Sequence, residues 1–279
     1  MNRPLLIVDG DNLAHRAYHS TPKTVTGVDG LPINAIVGFT SMIINYWAKE
    51  QPRGIFVAWD TLGVDTYRSK LWPPYQGGRI FDTEIRQQLD LFPKVCEAFG
   101  FGYGKQAGYE ADDLMASATH AEVARGGSCL LVTTDRDAYQ LVSPDVTVLA
   151  AKRGSRDLDR IGPQEVVERL GILPEQIPDF KALCGDASDK IPGVRGIGPK
   201  AAASLLLKFG SLEGVLCEWD RPAADAELAL MFREVTRMRP EIPVELPTAG
   251  PDWEGGAAAL RLLGANNLAD RVAIIKSPS

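Results

Sequence analysis

Three apolar runs in this 279-residue chain each lead into an aspartate. LLIV precedes Asp9, GIFVAW precedes Asp60, and SCLLVTT precedes Asp135. Such short apolar runs predict buried strands over 5–8, 54–59 and 128–133, with a further one near 145–150. Helical spacing between them predicts helices over 33–50, 82–99 and 110–126, then a short helix at 136–141 and helices near 163–171 and 174–184. Alternating strands and helices imply a mostly parallel sheet with right-handed crossovers. Parallel strands bring their carboxyl ends to one edge, where open α/β folds bind ligands. The expected fold class is therefore α/β, with helices flanking the sheet. From about residue 190 the pattern turns helical and richer in Gly and Pro, with a last helix near 257–264.

The acidic residues gather at these strand ends and in a few other short segments. They are Asp9, Asp60, Glu110, Asp112, Asp113, Asp135, Asp137, Asp186 and Asp189. Each segment alone also suits a helix cap or a solvated turn. Capping needs one acidic residue per helix, however, and GYEADD, TTDRD and GDASD each supply two or three. Glu110 and Asp113 share a helix face at a spacing of three. So many carboxylates on one edge repel unless cations sit among them. Oxygen-only ligands suit Mg²⁺ or Mn²⁺, and two or more ions are expected. Asp11 of DGDN reads as an N-cap. His15, His19 and His120 are scattered and read as packing or surface residues.

Composition narrows the partners less than its average suggests. The net charge is −6, but setting the nine carboxylates aside leaves +3, so a nucleic-acid partner stays open. No apolar run approaches the roughly 18 residues of a membrane helix. MNRPLLIVDGDN lacks the apolar segment of a signal peptide. No membrane association and a cytoplasmic location are expected. Cys96, Cys129, Cys184 and Cys217 form no CxxC pair and read as buried free thiols rather than zinc ligands.

Two further segments carry a signal. PGVRGIGPK at 192–200 has Gly193, Gly196 and Gly198 for close backbone approach and Pro199 at a helix start. Free N–H groups there, with Arg195 and Lys200, can hold a phosphate without reading sequence. A plain helix–helix turn is the alternative for this stretch. Residues 61–81 form a long loop with Arg68, Lys70 and Arg79 interleaved with Tyr67, Trp72 and Tyr75, a length usually kept for function.

Taken together, LLIVDGDNLAHRAYH, FVAWD, GYEADDLMA, VTTDRDAYQLV and LCGDASDKIPGVRGIGPKAA resemble the 5′-nuclease superfamily in family order. That superfamily comprises the flap endonucleases and the 5′-nuclease domain of bacterial DNA polymerase I. The resemblance implies a PIN-like nuclease core at 1–185, a helical arch or clamp at about 61–92, and a helical DNA-binding part at 186–279. A helix–two-turn–helix would lie at about 190–209. It implies divalent-metal hydrolysis of DNA phosphodiesters as a 5′-3′ exonuclease and flap endonuclease, acting as a monomer on 5′ flaps, nicks or 5′ ends. By motif, Asp9, Asp60, Glu110, Asp112 and Asp135 would line one metal position. Asp137, Asp186 and Asp189 would support a second, with Asp113 between them. Arg68 and Arg79 would assist Asp135 at the reacting phosphate. Arg16, Lys70, Tyr75, Gln76, Gly193, Arg195, Gly196, Gly198 and Lys200 would contact DNA. The backbone carbonyls of Val194 and Ile197 would hold K⁺. Gln76 stands where relatives carry a Lys, which puts the rate in doubt, with Lys70 as a nearby cation. Two other readings are a haloacid-dehalogenase-like phosphatase built on Asp9 and Asp11, and a branched-DNA-binding module with weakened catalysis.

Overall fold

The computed structural model describes residues 3–76, 82–151, 158–220 and 222–275. At its centre is one sheet in the order β3-β2-β1-β4-β5-β6. Its strands are β1 (Leu5–Asp9), β2 (Gly54–Trp59), β3 (Gly102–Lys105), β4 (Cys129–Val132), β5 (Val146–Ala151) and β6 (Leu158–Ile161). The first five run parallel, and β6 returns antiparallel to β5. The chain builds outward from β1 to β3, then jumps back to place β4 on the other side of β1. The β1/β4 gap is thus the switch point of the sheet, where neighbouring crossovers diverge and leave a crevice.

Both faces of the sheet are covered, which is why the strand sequences are continuously apolar rather than alternating. Leu6, Val8, Ile55, Val57, Leu130 and Val132 point to one face. There they meet α1 (Gly10–Ser20), α2 (Asn34–Glu50), α4 (Thr83–Leu89) and α5 (Phe92–Ala98). Leu5, Ile7, Phe56, Ala58, Cys129 and Leu131 point to the other. That face is covered by α6 (Ala111–Ala124), α7 (Pro163–Leu170), α8 (Ile177–Cys184), α9 (Pro199–Phe209), α10 (Leu212–Cys217) and α11 (Ala223–Thr236). The chain then crosses back. α12 (Trp253–Leu262) and α13 (Asn266–Ala273) pack on the first face through Trp253, Ala257, Leu260, Leu268 and Val272. The final helices therefore lie with the α/β core, not with the helical part expected over 186–279.

Several local expectations change. The single helix over 82–99 is two helices: Pro93 in the first turn of α5 lacks the N–H an unbroken helix would need. The long segment after β2 contains a short helix, α3 (Tyr67–Leu71), whose start is capped by the Thr66 hydroxyl accepting from Ser69 N. Strands β3 (GYGK) and β6 (LDRI) had no apolar run to announce them. The last helix begins at Trp253, earlier than 257, and α13 follows it. Of the four thiols, Cys96 and Cys129 are buried, whereas Cys217 is exposed.

The hairpin between α8 and α9 lies against the end of α8. Val194 N donates to Leu183 O at 2.8 Å, and Asp186 and Ile191 form a two-residue antiparallel bridge. Gly193 has φ +67°, and a Cβ there would stand 2.3 Å from Gly185 N. Gly196, at φ +83°, has open space around the same position. The pair separates backbone strain from close approach. Gly196→Ala should cost about 1–2 kcal/mol, from the left-handed φ alone. Gly193→Ala should cost at least about 2 kcal/mol more, because α8 and the hairpin must part. Urea unfolding of both variants measures the difference, and equal losses would refute the close-packing account.

Candidate metal centre

The carboxyl edge of the sheet carries a cavity of about 290 Å³ lined by Asp9, Asp11, Asp60, Glu110, Asp112 and Asp135. Hydrogen bonds to the surrounding chain fix Asp9, Asp11, Asp60, Glu110 and Asp135. Asp9 ends β1 and caps α1, accepting from Asn12 N at 3.1 Å with one oxygen and from the Thr133 hydroxyl at 2.8 Å with the other. Thr133 follows β4, so this bond spans the switch point. Asp60, just after β2, accepts from Ala111 N at 2.7 Å and so binds the start of α6. Glu110, the N-cap of α6, accepts from the Tyr75 hydroxyl at 2.9 Å. Asp135 caps the 3₁₀ turn Arg136–Leu141 by accepting from Asp137 N at 2.9 Å. Asp11 is not the cap of α1: its carboxylate accepts from Asp60 N at 2.7 Å, tying the ends of β1 and β2 together inside the cavity.

Burial and mutual repulsion make these carboxylates reluctant to ionise. Asp9 is pushed up to about 7 by burial and by the charges of Asp60 and Asp135, against the bonds from Asn12 and Thr133. Glu110 is pushed up to about 7, first by burial and then by Asp60, although Arg68 and Tyr75 pull it down. Asp11 and Asp112 rise for the same two reasons, burial first. A carboxylate-rich cavity whose acids resist charge is what a hard divalent cation relieves.

A second group lies beyond Asp135. Asp137, Asp186 and Asp189 bring one carboxylate oxygen each within 4.8 Å of one another. Between them stands Lys181, in the last turn of α8, whose Nζ donates to Asp137 Oδ1 and to Asp186 Oδ2. Asp186 is held down at about 2: burial works against its charge, but Lys181 and Ser188 outweigh it. Asp189 is raised by burial and accepts from Gln76 Nε2 at 3.1 Å. The same Gln76 amide reaches the Tyr75 hydroxyl at 2.9 Å, so the two groups are joined through Gln76 and Tyr75 to Glu110.

Two expected participants, Asp113 and Arg68, pair with each other. Asp113 lines neither group; it is fully buried, and its carboxylate takes both terminal nitrogens of Arg68, at 2.6 and 2.8 Å. It also accepts from the backbone N of Glu110 and of Arg239. Arg68 is only 3% exposed, donates its Nε to Val235 O at 2.9 Å, and lies 3.5 Å from Glu110 Oε2 at the back of the cavity. Burial of an Arg demands such pairing, and Asp113 supplies it. Arg79 lies outside the described residues. Arg16 faces Tyr46 of α2 rather than the cavity. Tyr75 is buried against Glu110, while Lys70, Arg195, Gly196, Gly198 and Lys200 are exposed. Val194 and Ile197 bury their side chains, and Val194 O accepts from Ile197 N at 3.0 Å. Lys181, Thr133 and His15, which lines the cavity, were not anticipated. Only Lys181 had a signal, a cation five residues before Asp186 near a predicted helix end.

A mostly parallel sheet with a carboxylate cavity at its switch point, flanked by a glycine hairpin between helices, can hold a hard cation and a phosphate side by side. Comparisons with known proteins place the chain in a family. The family model for the 5′-3′ exonuclease N-terminal resolvase-like domain matches residues 4–171, and that for the 5′-3′ exonuclease C-terminal SAM fold matches 172–255. The chain belongs to the 5′-3′ exonuclease family. It is 40% identical over 251 residues to DNA polymerase I of Mycobacterium bovis, covering 86% of this chain and 28% of the relative. It is 34% identical over 294 residues to DNA polymerase I of Bacillus caldotenax, covering 100% of this chain and 33% of the relative. The chain thus spans about a third or less of the length of these relatives. In fold it is similar to a bacteriophage T5 5′-exonuclease solved with divalent metal ions (zinc), at TM-score 0.69 and 22% identity over 97% of each chain. The catalytic core of Rad2 in complex with DNA substrate matches at TM-score 0.61 and 14% identity, over 99% of this chain and 93% of that one. Family membership displaces the phosphatase reading of Asp9 and Asp11. Among the described residues no helix is long and apolar enough to cross a membrane.

Two measurements test this geometry. Ordinary carboxylates titrate near 4, so with Asp9 and Glu110 at about 7 the folded chain holds more protons than the unfolded one between those values. Stability of the chelated protein should therefore fall as pH rises from about 4 to about 7, and added Mg²⁺ should restore it at the upper end. A melting temperature in EDTA that stays flat or rises over that interval would contradict the buried-acid account. Arg68→Met should lose about 3–5 kcal/mol of stability, because Asp113 is left buried and unpaired. If Arg68 acted on substrate instead, activity would vanish with unchanged urea unfolding.

Proposed function

We propose that the chain is a structure-specific 5′-nuclease, a 5′-3′ exonuclease and flap endonuclease that hydrolyses DNA phosphodiesters. The observation that carries this reading is the adjacency of two carboxylate groups through Asp135, which lines the cavity of Asp9, Asp11, Asp60, Glu110 and Asp112 and also the neighbouring one of Asp137, Lys181 and Asp186. Asp9, Asp60, Glu110, Asp112 and Asp135 would hold one Mg²⁺ or Mn²⁺, and Asp137, Asp186 and Asp189 a second. When bound, such ions supply an activated water and offset the charge that develops on a phosphodiester in hydrolysis.

The chain's own residues supply placement. Tyr75 fixes the orientation of Glu110, and Asp11 fixes the end of β2 beside Asp60. The exposed Arg195, Gly196, Gly198 and Lys200 lie at the start of α9, where free N–H groups and positive side chains favour a duplex phosphate. K⁺ held by the carbonyls of Val194 and Ile197 would stiffen that hairpin against the backbone. Gln76, which lines the cavity, and the exposed Lys70 of α3 would meet the single strand at a 5′ flap, nick or 5′ end. Monomeric action in the cytoplasm completes the reading.

Asp135→Asn removes a charge common to both groups. It should abolish Mg²⁺-dependent cleavage of a 5′-flap duplex, lowering the rate by about 10²-fold or more, while electrophoretic binding of the same DNA in Ca²⁺ persists. Full cleavage by this variant would falsify the assignment.

A further inference from the structure

Lys181 is a cation built into a site that should take a cation of another kind. Its side chain is 12% exposed, and those of Asp137 and Asp186 are 13% and 15% exposed. It reaches them from α8 while Ser188 N, at 2.8 Å, holds the other oxygen of Asp186. The three carboxylates of this group carry more negative charge than a half-buried pocket tolerates unneutralised. In the chain as folded, the ammonium of Lys181 neutralises part of it.

An ammonium on Asp137 Oδ1 and Asp186 Oδ2 competes with a divalent ion for those two oxygens. Mg²⁺ demands oxygen ligands at about 2.0–2.1 Å in near-octahedral order. The Nζ of Lys181 already lies at hydrogen-bond distance from Asp137 and Asp186. Ligation of the ion through those two oxygens requires the ammonium to withdraw. Room for that exists, because Lys181 lines an open cavity of about 490 Å³ together with Arg136, Asp186, Ser188 and Pro199. Its flexible four-carbon stem allows the swing that an Arg fork would resist.

We propose that Lys181 is the resident counter-cation of the Asp137–Asp186–Asp189 group: a positioning residue that keeps these carboxylates gathered without a divalent ion and must be displaced before one binds there. This rests on the two-position reading of the metal centre given above. It has two consequences. The second position is intrinsically weaker for metal than its carboxylates would make it, and the displaced ammonium becomes available to a phosphate in the same cavity.

Binding of Mn²⁺ alone, followed by calorimetry and by electron paramagnetic resonance of the free ion, tests this without any turnover. The wild-type chain should show a tighter and a weaker class. Lys181→Met should tighten the weaker class by about tenfold, the factor set by losing one charge-assisted competitor. Lys181→Gln, which keeps a hydrogen-bonding group and guards against a folding failure, should tighten it in the same direction, and Lys181→Arg should not. In EDTA the Met and Gln variants should melt below wild type and gain more than wild type on adding Mn²⁺. A merely structural Lys181 would lower the melting temperature without tightening the ion. Weaker classes equal to wild type in both neutral variants, or loosened in them, would overturn the inference while leaving the metal centre standing. Absence of any Mn²⁺ binding by the wild-type chain would overturn the metal reading itself.

Discussion

Repulsion among carboxylates at one edge of a sheet is the constraint around which this chain is organised. Like charges a few ångströms apart, poorly hydrated, cost several kcal/mol if nothing offsets them. The fold offsets them in part with its own donors. Thr133 and Asn12 hold Asp9, the α6 backbone holds Asp60, Tyr75 holds Glu110, and Lys181 holds Asp137 and Asp186. These bonds fix geometry more than they cancel charge. What remains is an excess of negative potential at the switch point, where crossovers part and water or ions can enter.

That excess can be tolerated because the surrounding scaffold is stiff. Arg68 is the hinge pin of this stiffness. From the short helix α3 it grips Asp113 of α6 with two hydrogen bonds and the chain end of α11 through Val235 O. Tyr67 adds bonds to Asp113 and to Arg237 O, and Arg239 lies over the Tyr67 ring at 3.9 Å. Three segments far apart in sequence are thus tied at one buried ion pair, and α6 presents Glu110 and Asp112 to the cavity as a consequence. The opposite end of α6 uses the same device: Glu122, 2% exposed, is gripped by Arg53 and Arg125. The buried Asp113 and Glu122, outside the cavity, each have a fixed guanidinium, and the carboxylates inside it have few cations.

This contrast explains how far the sequence could be read. The sheet was legible because β1, β2 and β4 are apolar without interruption and end in polar residues, a pattern that needs no tertiary information. Strands β3 and β6 were not, because GYGK and LDRI take their place from hydrogen bonding to β2 and β5 rather than from hydrophobicity. Among the acids, being near a strand end was visible, but direction was not. Asp112 and Asp113 are neighbours, yet one faces the cavity and the other is buried beneath it, since adjacent helical positions lie about 100° apart. Only the partner decides which is which, and Arg68 is 45 positions away from Asp113.

The same logic separates the cations. Arg68, Arg53 and Lys181 all sit beside buried carboxylates, but the first two are forks locked by backbone acceptors as well: Val235 O for Arg68 and Pro247 O for Arg53. Lys181 has no such anchor among its described bonds, which run only to Asp137 and Asp186. A guanidinium with a third bond to the main chain is structural, because leaving would strand a carbonyl as well as an acid. An ammonium bonded only to acids that a metal could satisfy equally well loses nothing essential when it leaves. The chemistry of the head group, together with what else it holds, therefore distinguishes a permanent counter-charge from a replaceable one.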